Sequence, residues 1–379
     1  MQASAFPRPL SAGAVTGRLE AFLSVGRDLP GEYWTAEHFL ADRPGKWEFS
    51  RAVFDPANPK KVLAYAFASR PEPSLVHLHH LMVACDHRGR GLGRQLLTEL
   101  SHRAALAGVA HLRLKVHPAN HRAAAFYLRE GFQVVGEENG CKVMTSPVRL
   151  LQRLVGIHQP NYLPWCGYFA KSRAVDVFVF LDDAQMPGGQ SYVSRTRIAG
   201  AGGPEWLTVP VERHLDEPIQ AVRFAQGPWT RKHLGTLRAR YGRRPHFKAV
   251  FERFEPLYAC PGEHLAQFNM TLIASIWQYL GLHPVFQMSS QWGVEGASDD
   301  RLINLVRALG GTVYVSGKGG ANYQDPRKFE AAGIRLEVQE YRPVPYDQGR
   351  EPFEPGLSIV DLLFNVGLDG RRVLLGEGS

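Results

Sequence analysis

One run of eleven residues constrains this chain more than any other: Val83-Ala84-Cys85-Asp86-His87-Arg88-Gly89-Arg90-Gly91-Leu92-Gly93. The apolar segment Leu75–Ala84 leads into it as a strand. The stripe Leu92, Leu96, Leu97 and Leu100 leads out of it as a helix that reaches about Ala107. A strand that turns through glycines directly into a helix leaves the first helical N–H groups without partners, at the positive end of the helix dipole. Glycine lets that backbone approach an anion closely, and Arg88 and Arg90 add charge of the right sign. The expectation is an anion nest over Arg88, Gly89, Arg90, Gly91, Leu92 and Gly93, set in an α/β fold.

The rest of the chain fits that class. With 379 residues it is about twice the size of an ordinary domain, so two domains are expected. Strands are expected at Trp47–Phe54, Lys61–Ser69, Leu75–Ala84 and His111–Val116, a helix at Ala119–Glu130, and a closing pair at Phe132–Val135 and Cys141–Met144. A break at Thr145-Ser146-Pro147-Val148 ends the first domain, 1–148. Residues 149–153 are a linker, and 154–379 form a second α/β domain. There, strands are expected at Leu154–Ile157, Val175–Leu181, Trp206–Val211, Thr312–Val315 and Ile334–Val338. Helices are expected at Thr230–Tyr241, His264–Leu280, Arg301–Leu309 and Ser358–Phe364.

Composition excludes some classes. A content of 44% hydrophobic and 21% charged residues is that of a globular chain. No run approaches the roughly 18 apolar residues of a membrane span, and Met1–Val15 lacks the apolar core of a secretion signal. Four scattered cysteines without a C-x-x-C pair argue against structural zinc and against a disulfide framework, and fit a reducing, cytoplasmic setting. The net charge of +8 suits an anionic small molecule as well as nucleic acid. The densest basic segment, Arg231 to Arg244, reads either as a solvated helix face followed by a loop or as a phosphate patch. Without a nucleic-acid motif, a nucleic-acid partner is not expected.

A second motif lies downstream of the glycine turn: Asn120-x-x-Ala123-x-x-Phe126-Tyr127-x-x-x-Gly131-Phe132, with Asn120 and Tyr127 two helical turns apart on one face. Together the two motifs resemble the GNAT acetyltransferase superfamily over roughly residues 8–148. The resemblance implies a mixed, splayed central sheet with flanking helices, and acetyl-CoA as acyl donor. It places the donor along the strand ending at Met82 and Val83, with a backbone N–H there polarising the thioester carbonyl and the pyrophosphate held by Arg88–Gly93. It further makes Tyr127 the acid that protonates the leaving thiolate, and Asn120 a residue that helps hold CoA. Many members carry a glutamate as base near the start of the third strand. This chain has Val76-His77-Leu78-His79-His80, with His77 and His79 on one face by strand alternation, so His79 or His77, an imidazole titrating near neutrality, and a water relay are candidates. A surface or packing histidine is the bland reading of either.

The second domain opens on Val155-Gly156-Ile157-His158-Gln159-Pro160-Asn161-Tyr162-Leu163-Pro164-Trp165-Cys166-Gly167-Tyr168-Phe169. Two further apolar runs end in polar residues: Val177–Leu181 before Asp182-Asp183, and Val313–Val315 before Ser316-Gly317-Lys318-Gly319-Gly320. Ligands of open α/β sheets bind off the carboxyl ends of the strands. If these strands are parallel neighbours, His158, Gln159, Asp182, Asp183 and Ser316 line one crevice, with His158 a base oriented by an aspartate and Arg195 a clamp for an anionic group. The bland alternatives are a core histidine, a strand-end turn and a surface ion pair. Cys166, among aromatics, reads as a buried inert thiol. One histidine and two adjacent carboxylates are a sparse ligand set, so no metal is expected. The glycines after Ser316 lack P-loop spacing. The run from 152 to 379 resembles the WbqC-like family, whose members resemble enzymes of surface-polysaccharide and natural-product gene clusters.

The combined reading is an acyl-CoA-dependent N-acyltransferase acting on a small-molecule amine, such as an amino sugar or a carrier-bound amine, fused to a domain acting on or binding the same substrate class. Three alternatives stay open: the C-terminal domain as an amide-forming or thioester-handling transferase, that domain as a binding platform, and acetylation of a protein or tRNA.

Overall fold

A computed structural model describes residues 4–27, 29, 34–189, 191–212, 214, 216–320 and 323–376. The chain divides into two compact units, Gln2–Leu151 and Gln152–Ser379.

The N-terminal unit is a seven-stranded sheet of β1 (Arg8–Pro9), β2 (Arg51–Phe54), β3 (Val62–Glu72), β4 (Leu75–Val83), β5 (His111–Val116), β6 (Gln133–Glu138) and β7 (Cys141–Pro147), in the order β1-β2-β3-β4-β5-β7-β6. Only β4 and β5 run parallel; the other neighbours are antiparallel. Strand alternation sorts the core onto two faces. Ala64, Ala66, Ala68, Val76 and Leu78 pack beneath the helix Leu92–Leu106, while Val62, Tyr65, Phe67 and Met82 pack against Phe22 and Phe39 of the opening helices. The register of β3 on β4 shifts at His79, so that one residue of β4 is unmatched. This bulge inverts the alternation: Leu78 faces the helix side before it, and Leu81 and Val83 face that side after it.

β4 pairs with β5 only from Leu75↔His111 to Leu78↔Leu114. Beyond that, β4 continues to Val83 on β3, and β5 continues to Val116 on β7. The two middle strands part there and leave an opening within the sheet.

One expected strand is shorter than its pattern. Lys46–Phe49 is a helical turn, and the strand begins only at Arg51. Tertiary bonding decides this: Lys46 is buried, and its Nζ donates to the carbonyls of Phe39 at 2.8 Å and Ala41 at 2.6 Å.

The C-terminal unit centres on a five-stranded, all-parallel sheet of β8 (Leu154–His158), β9 (Val177–Phe180), β12 (Phe286–Met288), β13 (Val313–Ser316) and β14 (Arg335–Val338), in the order β12-β9-β8-β13-β14. Its three central strands β9, β8 and β13 are nearly continuous apolar runs, as strands covered on both faces must be, while edge strand β14 alternates Arg335-Leu336-Glu337-Val338. A separate antiparallel ribbon joins β10 (Arg195–Ala199) to β11 (Pro204–Thr208), shorter than the expected Trp206–Val211 strand and shifted toward the N-terminus. Helices Trp229–Tyr241, Leu265–Tyr279 and Ile359–Val366 build one large core around Phe178, Phe180, Phe268, Trp277 and Phe364.

Two helices stand where the sequence pattern named no element. Cys166–Ala174 follows directly on the proline-rich exit from β8 and carries buried Tyr168, Phe169 and Lys171. Phe247–Ala259 follows the basic segment and runs through Pro256.

Candidate functional site

In the N-terminal unit the chain leaves β4 through a single turn, Cys85–His87, and enters the helix Leu92–Leu106 at Gly91. Gly89 and Gly91 have φ of +79° and +82°, a region that side-chain-bearing residues enter only with strain. Gly91, at the N-cap position, offers no side-chain acceptor, and the first turn carries no acidic residue. Its N–H groups therefore face outward at the positive helix end, as an anion site requires. Arg88 is spent locally: its Nε donates to the Val83 carbonyl at 3.0 Å and braces the turn. Gly93 is held by packing, since a Cβ there would lie 3.3 Å from Phe126. Met82 and Val83 end the stretch of β4 that β5 leaves unpaired. An opening lined by strand backbone and closed at one end by an uncapped helix fits a long donor carrying a diphosphate.

Asn120 caps the helix His121–Arg129, its Oδ1 accepting from the Ala123 N–H at 2.9 Å. Tyr127, 8% exposed, lies on that helix with its ring against Phe126 and Phe132. His79 sits at the bulge, bonded to Ser69 Oγ at 2.7 Å and edge-on to His77 at 4.7 Å. Burial, reinforced by His77 and the nearby Arg43 and Lys46, pulls its pKa to about 3. Near neutrality the ring is therefore unprotonated, a weak acceptor with Ser69 Oγ as its hydrogen-bond partner.

In the C-terminal unit β8, β9 and β13 are parallel neighbours, and their carboxyl ends do converge. A cleft of about 710 Å³ there is lined by His158, Gln159, Lys171, Asp183, Asp299 and Ser316, among others. A smaller chamber of about 150 Å³ shares His158, Lys171, Gly317 and Gly319 and adds Trp165, Tyr168, Lys318, Gln339 and Tyr341. Ser316 Oγ donates to Gln324 Oε1 at 2.7 Å, beside Gly320, where a Cβ would collide with that hydroxyl. Ala321 and Asn322, between this loop and Tyr323, lie outside the described residues.

The expected aspartate–histidine pairing is not formed. Asp182 is buried and held by Ser289 and Ser290, whose Oγ atoms donate at 3.0 and 2.7 Å, and by the Ser290 N–H at 3.0 Å. Asp183 accepts from Ser289 and pairs with Arg301 at 2.5 Å. His158 instead places Nδ1 3.2 Å from the Gln159 carbonyl. A carbonyl only accepts, so Nδ1 carries the proton and Nε2 is left as an acceptor. Burial and the Lys171 ammonium lower the His158 pKa to about 3 and keep the ring neutral. Arg195 stacks on Trp206 at 3.8 Å in the ribbon, away from the residues lining the cleft. Cys166 is inert: burial pushes its thiol up to about 12. The basic segment is partly neutralised, with Arg240 clamped by Glu205 at 2.7 and 2.8 Å and Arg238 paired with Glu255 at 3.5 Å.

Lys171 was not among the residues the sequence singled out. It is 1% exposed, its Nζ donates to the Ile157 carbonyl at 2.9 Å, and burial lowers its pKa to about 7. Asp299 was missed as well: it is buried in the cleft wall with Oδ2 on the Asp325 N–H at 2.9 Å and Oδ1 without a hydrogen-bond partner. Among the described residues no group of three or more His, Cys, Asp or Glu is placed to hold a metal ion, and no helix is long and apolar enough to cross a membrane.

The model of the acetyltransferase (GNAT) family matches residues 21–132, and that of the WbqC-like protein family matches 159–373. The uncharacterized protein Rv1507c of Mycobacterium tuberculosis is 33% identical over 227 residues, 58% of this chain and 96% of that protein. Similar solved structures include the ribosomal-protein-S18-alanine N-acetyltransferase of Escherichia coli, 21% identical, with 39% of this chain and 96% of that one covered and a TM-score of 0.33. The PaiA N-acetyltransferase of Thermoplasma acidophilum in complex with coenzyme A is 16% identical, with 38% and 99% covered and a TM-score of 0.31. An acetyltransferase of Thermus thermophilus is 26% identical, with 39% and 99% covered and a TM-score of 0.31. The N-terminal unit carries an N-acetyltransferase domain whose acyl donor is acetyl-CoA. The chain as a whole belongs to the WbqC-like protein family, with a GNAT acetyltransferase domain joined ahead of the family's own.

Proposed function

We propose that this protein transfers an acetyl group from acetyl-CoA to the primary amine of a small molecule, an amino sugar or a carrier-bound amine of polysaccharide or natural-product assembly, and that the C-terminal cleft binds or acts on the same class of compound. The observation that carries the first part is the opening between β4 and β5, which leads to the uncapped helix at Gly91. In this reading the amine attacks the thioester directly. A backbone N–H at Met82 or Val83 polarises the carbonyl, the Gly89–Gly93 backbone holds the pyrophosphate, and Tyr127 returns a proton to the thiolate. The amine loses its proton to His79 or through a water relay. Asn120 acts by fixing the start of the helix that carries Tyr127.

The second part is supported by a cleft at the carboxyl edge of a parallel sheet, where His158 Nε2 and Gln159 offer hydrogen-bonding groups to the hydroxyl and amino groups of a polar ligand. Fusion raises the effective concentration of one unit's product for the other. The test is incubation of the full chain with acetyl-CoA and a panel of amines, nucleotide-linked amino sugars among them, following thiol release and product mass. Acetylated product from at least one small amine is expected. If no amine on the panel yields thiol, and calorimetry finds no affinity for CoA, the reading fails.

A further inference from the structure

The ammonium form of Lys171 is poorly compensated within its own fold, with one carbonyl and the Tyr314 ring, 6.0 Å away, as its partners. A primary ammonium removed from water costs several kcal/mol unless an opposite charge accompanies it. Lys171 is almost wholly buried, and its Nζ makes a single hydrogen bond, to the Ile157 carbonyl. Among the described residues no carboxylate lies within ion-pair distance of it. The two carboxylates that line the cleft bond elsewhere, Asp183 to Arg301 and Ser289, and Asp299 through one oxygen to the Asp325 N–H. Lys171 also lines the cleft and the smaller chamber at once. Facing it across the chamber are the Gly317-Lys318-Gly319 backbone and the exposed Lys318 side chain, a second cation without a carboxylate in the chamber wall.

Resting on the reading of this cleft as a ligand site, we propose that the chamber between Lys171, Lys318 and Gly317–Gly319 is an anion subsite, which takes the carboxylate or phosphate group of the C-terminal unit's ligand and makes Lys171 the buried counter-charge to it. The ligand is then polarised along the cleft. Its anionic end lies against the two lysines and the glycine loop, and its hydroxyl or amino end lies against Gln159, Asp299 and Gln324. The class is that of sugar acids, sugar phosphates and amino acids rather than neutral sugars.

Binding of this kind moves a proton. Lys171, with its pKa lowered to about 7, is mostly uncharged at pH 8. An anion beside it favours the ammonium, so complex formation draws a proton from the buffer. The buried histidine and phenols of the chamber and the adjoining cleft wall do not supply this signal. His158 stays neutral with its pKa pulled to about 3, and burial raises the phenols of Tyr168, Tyr314 and Tyr341 far above pH 8.

The experiment is calorimetric titration of the full chain at pH 8 with inorganic phosphate and, separately, with acetate, in two buffers of different ionisation heat. Tighter binding of one probe than of the other identifies the anionic group. The expected result is net uptake approaching one proton, lost in Lys171→Met, together with an affinity at least tenfold weaker. Lys318→Met, at an exposed position where folding is not at risk, weakens binding by a smaller factor and keeps the uptake. Both lysines lie in the C-terminal unit, so these losses are separate from any anion held at Gly91. Equal affinity in parent and Lys171→Met, no binding of either probe, or binding without proton uptake overturns the proposal. The amine acceptor identified with the panel is titrated in parallel. If it binds the C-terminal unit with Lys171→Met making no difference, the cleft remains a ligand site and only the anion subsite falls. If the anions bind through Lys171 and the acceptor does not bind, the shared-substrate reading falls instead.

Discussion

Tyr127 and Lys171 show how differently single residues declare themselves. Tyr127 sits in a motif whose spacing puts it on the same helical face as Asn120, so its place was legible before any fold was known. Tyr127→Phe is expected to lower kcat by about a hundredfold, the usual worth of a positioned acid, while CoA affinity by calorimetry stays nearly constant. Undiminished turnover would remove it from that role. Lys171 gave no such signal: nothing in its local sequence sets it apart, and only the packing of its helix on β8 buries it. Its effect on stability has a definite sign. Below about pH 7 Lys171 is charged in both folded and unfolded chains, and its burial cost is fully present. Between there and the ordinary lysine value the unfolded chain binds a proton that the folded chain does not, so stability rises with pH. Lys171→Met is therefore expected to stabilise the protein near pH 6 by a few kcal/mol, on the order of 3, an advantage that shrinks toward pH 10. Urea titrations across that range measure it, and a pH-independent difference would contradict it.

At the scale of elements, the glycine turn and the strands ending in polar residues were legible because their periodicity and punctuation are local. What escaped was set by distant contacts. The aspartates after β9 read as partners for His158, but Ser289 and Ser290 arrive from the end of β12, more than a hundred residues later, and claim Asp182. Pro160 and Pro164 hid the helix that begins at Cys166, and Pro256 hid the one from Phe247. The sequence motif also linked Asn120 to CoA, whereas its side chain caps a helix. The two functions separate by substitution. Asn120→Ala is expected to cost about 1 kcal/mol of stability, seen as a lowered Tm, with a small change in CoA affinity. Gly91→Glu strains a positive-φ turn and sets a carboxylate against the pyrophosphate, and is expected to abolish CoA binding. An Asn120→Ala loss of affinity as large as that of Gly91→Glu would mean that Asn120 touches the donor.

For the whole molecule, the two-domain expectation came from length and from a break expected at Thr145–Val148; Thr145–Pro147 instead complete β7 against β5, and each unit still encloses its own sheet and its own core. Among the described residues, no strand of one sheet is borrowed by the other. A fragment of residues 1–151 is expected to fold alone and to keep thiol-releasing activity with the accepted amine within about threefold of the full chain, provided the small apolar core of a domain this size suffices. A fragment that folds by circular dichroism yet is inactive would show that residues 152–379 contribute to transfer. The break between β4 and β5 carries a consequence for donor choice. Past Leu78 and Leu114 each strand presents peptide groups that its neighbour no longer answers. An arm that bears amides of its own can finish that ladder, as an added strand would. Simple acetyl thioesters of short alkyl thiols offer nothing in its place, so the enzyme should select its donor by the amide-bearing handle as much as by the acyl group it delivers.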